Sequence, residues 1–313
     1  EVLRRKVKDI KVRRRMQVAD LVEALGAAGG FSARKVAEAV DVLEAMVKDE
    51  RCTTFLSFPA APMATGTRGV LLELVRRGWV DVIITTCGTL DHDLARTWGD
   101  YYHGAFEMDD RALHRLKVHR LGNVLVPAES YGPLLEKRLR PILEAIYEKG
   151  HRSLTTRELV WEVAKKVVHH DSLLEWVERR RIPVYLPAPF DGAFGYQLWS
   201  FWQDHKDFGL DLQRDQAELA DLIFSAKKSG ALMIGGGVSK HHTLWWNQFR
   251  GGLDYAVYIT TAAEYDGSLS GARVREAISW GKVRARARQL TVEGDATLLL
   301  PIMVSALVDR MGG

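Results

Sequence analysis

Glu276, Trp280 and Lys282 fall within seven residues of one another, and an acid, an indole and an amine at that spacing suit the chemistry of a reactive lysine. The run Ser270 to Lys282 predicts a short helix. Glu276 and Trp280 share one face of it, and Gly281 is the stop that aims Lys282 back toward them. An amine held against an indole is partly dry, loses its proton more readily and can form an imine. A capped surface helix with a solvated lysine is the competing reading. A second candidate follows Gly235, Gly236 and Gly237, where Lys240, His241 and His242 begin a predicted helix. The positive end of a helix dipole disfavours an imidazolium there, so His241 is the sharper candidate for a base, with simple packing as its alternative. No metal is expected, because adjacent histidines point in different directions and no third ligand is suitably spaced.

These residues need a scaffold, and the pattern supplies one. Apolar residues at helical spacing over Ala19 to Leu25 and Ala33 to Val47, parted by Gly26 to Gly30, predict a helical hairpin. Short β-rich runs then alternate with helical segments: Cys52 to Phe58, Val80 to Thr86, Asn123 to Pro127, Ile182 to Pro187, Ala231 to Ile234 and Asp254 to Thr261. Such alternation predicts an α/β fold with a parallel sheet covered on both faces, residues 1–50 forming a helical extension and 51–313 one unit. Open parallel sheets bind ligands at the carboxyl ends of their strands, where Thr85 to Thr89, the three glycines and Thr260 to Ala262 stand. Asp191-Gly192, Asp266-Gly267 and Asp295-Ala296 each suit either a ribose hydroxyl or a turn. His169-His170-Asp171 marks a helix boundary, with Ser172 and Glu175 spaced as a capping box, and Lys282 to Arg288 alternates like an exposed edge strand.

Length and composition set the class. A chain of 313 residues, 47% hydrophobic and 27% charged, has material for a sizeable core. No apolar run approaches a bilayer-spanning length, the N-terminus lacks a signal-like apolar stretch, and Cys52 and Cys87 are too few for a disulfide framework, so a soluble cytoplasmic protein is expected. Eight Lys and Arg against two acids in residues 1–17 hold more than the whole net charge of +4. No aromatic residue interleaves with them, which favours a solvated helix or a subunit contact over RNA.

Taken together, these segments resemble deoxyhypusine synthase. The match runs from about Val7 to Ala306 and is most specific at Gly235 to His242 (GGGVSKHH), Asp254 to Gly271 (DYAVYITTAAEYDGSLSG), Glu276 to Lys282 (EAISWGK), Arg120 to Pro127 and Val80 to Thr86. The resemblance implies a Rossmann-like, doubly wound, mainly parallel sheet. It also implies NAD-dependent transfer of an aminobutyl group from spermidine, through an imine on an enzyme lysine, to a lysine of the hypusine-bearing translation factor precursor. By position Lys282 is then the covalent lysine, His241 the base, and Glu276 with Trp280 the amine-binding wall. Asp91, Gly267 and Ser268 fall near the amine, and Thr86, Cys87, Gly88, Asp191, Gly236, Thr261, Ala262, Asp266, Asp295 and Ala296 fall at the cofactor. A homotetramer with neither membrane nor nucleic acid as partner is implied as well.

The chain also departs from the family pattern. His92, Tyr196 and Leu269 stand where acids are common, Trp245 where asparagine is usual, and Pro59 to Gly66 alters a cofactor loop. Leaving a buried ammonium unpaired costs on the order of 3 to 5 kcal/mol, so a related amine such as agmatine or putrescine stays open as donor. A catalytically silent NAD-binding scaffold is the alternative from another class.

Overall fold

The computed structural model describes residues 5–312. By its contacts the chain divides into two compact units. One holds the chain up to Phe58, Trp79–Val82 and everything from Ala220 onward; the other holds Pro59–Gly78 and Ile83–Leu219.

In the first unit the strands Cys52–Phe58, Lys228–Ile234, Leu253–Thr260 and Val283–Glu293 lie side by side, all parallel, with Val283–Glu293 at the edge. Phe55 pairs with Ala231, and Val257 with Leu232. Phe55, Leu56, Leu232, Met233, Val257, Tyr258 and Ile259 are all buried, the continuous apolar run of strands covered on both faces. The predicted hairpin spans Val18–Ala28 and Phe31–Lys48, turned by Gly29 and Gly30 at φ +66° and +72°. It packs against the helix Ala296–Met311, and Val22, Val36, Val40, Leu43 and Leu307 of these helices are buried.

The edge strand behaves as its sequence predicts, with one addition. Leu253 pairs with Val283 but Tyr255 pairs with Arg288, so Arg284 to Ala287 bulge opposite Asp254 alone. Arg284 and Arg250 both reach that aspartate, at 3.4 Å and 3.0 Å. A bulged, cationic margin discourages pairing with another chain.

In the second unit Ile83 and Ile84, of the strand Val82–Thr85, pair in parallel with Val184–Tyr185. Around them stand the helices Arg68–Arg76, Cys87–Trp98, Gly132–Glu148, Thr156–Ala164, Leu173–Arg180 and Ala193–Asp204. Ser172 caps Leu173–Arg180 as anticipated, its hydroxyl accepting from the Glu175 amide, while the Glu175 carboxylate turns to the His169 amide instead of closing the box. One strand differs from expectation. Val124–Pro127 is antiparallel to Val118–Leu121 in a small separate sheet, because Gly122, at φ +61°, and Asn123 form a two-residue hairpin. The described fold is therefore α/β with a mainly parallel sheet, as the alternation of elements predicts, and none of its helices is long and apolar enough to cross a membrane.

Candidate active site

Lys282 is placed by a tight turn and a strand. Val274–Ile278 forms a 3₁₀ turn in place of the expected α-helix, and Gly281 at φ +68° ends it. The Gly281 amide donates to the Ile278 carbonyl and the Lys282 amide to the Ala277 carbonyl, both at 3.0 Å. Leu253 then donates its amide to the Lys282 carbonyl, which fixes the residue against the start of a core strand. The side chain is half-buried, and its Nζ lies 5.2 Å from the Trp280 ring centre and 5.8 Å from that of Trp245. Among the described residues it has no ion pair.

His241 stands on the helix Val238–Gln248, whose start is set by Gly237 at φ +75°. Its ring stacks on Trp245 one turn further along, with centres 5.9 Å apart. Burial, with the nearby Lys282 charge adding to it, holds the His241 pKa below the usual histidine value, so the ring is neutral near pH 7. His242 is pushed further, to about 4, chiefly by burial.

Lys240, between these histidines and the glycines, is buried and serves another purpose. Its Nζ donates to the Leu269 carbonyl at 2.7 Å and the Ala272 carbonyl at 2.6 Å, and sits 3.8 Å from the Tyr258 ring centre. Burial pulls its pKa down to about 8 against the opposing charge of Glu276. The Tyr258 and Thr260 hydroxyls both donate to the Ser270 carbonyl. Gly236 completes the lock, since a Cβ there would lie 2.1 Å from Ser270 Oγ. The loop Asp266–Ala272 is thereby held down at one end while Gly267 and Ser268 stay exposed.

Within that loop Asp266 accepts from the Ser268 amide and hydroxyl, and those bonds hold its pKa below the usual carboxylate range. Asp295 likewise caps the helix Ala296–Met311 by accepting from the Thr297 amide at 2.8 Å. Both carboxylates remain at the surface, as does Thr261, with Ala262 beside it. Glu276 is exposed and lines a cleft with Glu264, Gly271, Arg273 and Arg275. The 3₁₀ geometry thus turns Trp280, and not Glu276, toward Lys282.

In the second unit Thr86 precedes the helix Cys87–Trp98, and Asp191 sits exposed in the turn before Ala193–Asp204. These segments meet closely. A Cβ on Gly192 would lie 2.7 Å from Asp91 Oδ2 and 2.9 Å from Cys87 Sγ, and one on Gly88 would lie 2.8 Å from the Ala60 Cβ. Asp91 is buried, accepting from the Tyr131 hydroxyl and from the Ala193 and Phe194 amides at 2.7–2.8 Å. It ties down the next helix and offers no carboxylate edge to solvent. Burial pushes the Cys87 thiol up to about 12, with Asp91 adding to the shift. His92 bonds the Tyr101 hydroxyl at 2.9 Å and is held neutral by burial, its pKa lowered to about 4.

The deoxyhypusine synthase family model matches residues 20–307. The chain belongs to that family. It is 52% identical to a "Probable deoxyhypusine synthase" of Picrophilus torridus over 305 residues, 97% of each chain. It is 50% identical to the protein of the same name in Thermoplasma acidophilum, covering 97% of this chain and 98% of that one. The crystal structure of "a putative deoxyhypusine synthase from Entamoeba histolytica" superposes with a TM-score of 0.69 at 21% identity, over 95% of this chain and 96% of the other, which shows the shared fold.

As a member of the deoxyhypusine synthase family the chain is a transferase. Of the residues singled out in its sequence, the structure brings Lys282, Trp280 and His241 to one place in the first unit, and Thr86, Cys87, Gly88 and Asp191 to one place in the second. One feature escapes a reading of the sequence, and a second is only partly read there. Lys240 is invisible there as an anchor because its partners are carbonyls some thirty residues onward. Trp245 is legible in principle, since an aromatic residue four after His241 shares its helix face.

Proposed function

We propose that this member of the deoxyhypusine synthase family takes an aminobutyl group from spermidine and passes it through Lys282 to a lysine of the hypusine-bearing translation factor precursor, using NAD. The observation that carries this reading is the joint placement of the Lys282 amine beside two indoles and beside a histidine held neutral. The residues assigned to the dinucleotide suit one. Asp191, Asp266 and Asp295 are surface carboxylates fit for ribose hydroxyls, and Gly237, where a Cβ would meet nothing within 4 Å, leaves open space at a helix start fit for phosphate. Thr86, Cys87, Gly88, Gly236, Thr261, Ala262 and Ala296 complete that set. NAD, when bound, would supply the hydride chemistry in both directions, accepting hydride from the carbon next to the donor nitrogen and returning it to the C=N carbon once that carbon is held by the acceptor lysine.

The protein's own residues do the rest. His241, neutral, takes a proton from the donor amine. The Lys282 lone pair forms a bond to the C=N carbon of the dehydrogenated donor; the carbon's bond to the old amine breaks, and that amine leaves with the proton from His241. The acceptor lysine repeats the exchange and frees Lys282. Trp280 walls the amine site, Gly267 and Ser268 border it, Glu276 lines a cleft of the same unit, and Asp91 contributes by fixing the start of Ala193–Asp204. We place residues 51–313 as the catalytic part, in a cytoplasmic homotetramer.

A related donor is the second reading, favoured because His92 is uncharged while Tyr196 and Leu269 are exposed and carry no acid. Spermidine labelled in its aminobutyl part tests the first reading: label is expected on the factor precursor only with NAD present. Labelling from agmatine or putrescine, with spermidine inert, would establish the second. NAD binding without any transfer would leave only a silent scaffold.

A further inference from the structure

Trp245 faces the reacting lysine from a partly open position. It is 43% exposed, its edge meets Phe249 at 5.8 Å between ring centres, and its face stacks on His241 while remaining within 5.8 Å of Lys282 Nζ. Trp280, 67% exposed, stands 5.2 Å from the same nitrogen. Two indoles, each leaving apolar surface exposed, thus converge on one amine that has no carboxylate partner among the described residues. Ring faces carry partial negative charge, attract a cation within about 6 Å and repel an anion. The attraction does not depend on a removable proton, so it acts on the charged C=N⁺ group that forms on Lys282 and on any further cation carried by the attached chain.

We propose that Trp245, paired with Trp280, is a specificity-determining residue that selects a cationic alkyl group for attachment to Lys282 and rejects an anionic one. Ring faces here take the place that a carboxylate would fill. The consequence is discrimination by sign of charge: groups ending in an ammonium or guanidinium are accepted, and groups ending in a carboxylate are turned away. The inference rests on Lys282 being the site of attachment.

Three straight-chain aldehydes, each with a four-carbon chain, test it without cofactor or donor: 4-trimethylammoniobutanal, butanal and succinic semialdehyde. Each condenses with the Lys282 amine, losing water, and cyanoborohydride delivers hydride to the resulting carbon, leaving a stable secondary amine whose position mass spectrometry maps. The wild-type protein is expected to trap the cation faster than butanal and the semialdehyde more slowly. Trp245→Ala should shrink the cation-to-butanal ratio by about 3- to 10-fold, and Trp245→Phe should keep most of it. Butanal reports whether Lys282 itself is intact in each variant. An unchanged ratio in Trp245→Ala, or a ratio lost equally in Trp245→Phe, overturns the proposal. Should spermidine transfer fail in the wild type while the ratios behave as stated, the proposed donor is wrong and the selection by charge stands.

Discussion

Two lysines of the same unit, Lys240 and Lys282, have opposite fates. Lys240 is buried and commits hydrogens to the Leu269 and Ala272 carbonyls, while Lys282 is half open and stands near the rings of Trp245 and Trp280 with no ion pair among the described residues. Two aspartates of the other unit repeat the contrast: Asp91 is occupied by three donors, and Asp191 stands exposed at the surface. A side chain whose bonding capacity is exhausted holds structure; one left with unused capacity at a surface is available for chemistry.

The contrast breaks if the exhausted and the open groups respond alike to removal. The largest effect belongs to Lys282→Ala, which should lower aminobutyl transfer by at least about a thousandfold and leave the thermal midpoint within a few degrees of wild type, read by transfer assay and calorimetry. Asp91→Ala comes next: with two helix-start amides and a buried tyrosine hydroxyl left unpaired, denaturant unfolding should show a loss of about 2 to 4 kcal/mol. Lys240→Met should cost about 1 to 2 kcal/mol, because two carbonyls lose their donor while the burden of a buried ammonium is lifted.

A pH slope offers a further comparison. Burial lowers the Lys240 pKa to about 8 from an unfolded value near 10.5, so between those values the unfolded chain holds a proton that the folded one has released. Stability therefore gains a rising component from pH 8 toward 10.5 in the wild type, which Lys240→Met should lack. Equal slopes in the two proteins would show that Lys240 keeps its proton when folded.

Much of this is legible in the sequence where a segment's surroundings follow from its own pattern. Cys52–Phe58 has the predicted bounds because threonines and aromatic residues that favour strands run together there and are buried from Thr54 onward, and the first two helices are readable because glycines separate two amphipathic runs. Val124–Pro127 shows its β character plainly, yet the pattern of alternation puts it in the wrong sheet, since the Gly122-Asn123 turn decides its direction. Glu276 and Trp280 share one face at α-helical spacing, and the 3₁₀ turn separates them. The roles of Lys240 and Asp91 lie beyond local reading: their partners stand about 30 and 100 residues away, and only folding brings them together.

The most direct test maps the covalent adduct itself. Protein incubated with NAD and labelled spermidine, quenched with cyanoborohydride and digested, should yield one labelled peptide modified at Lys282, with no label in Lys282→Ala. Label carried by Lys240 or another lysine, or undiminished in that variant, would contradict the account.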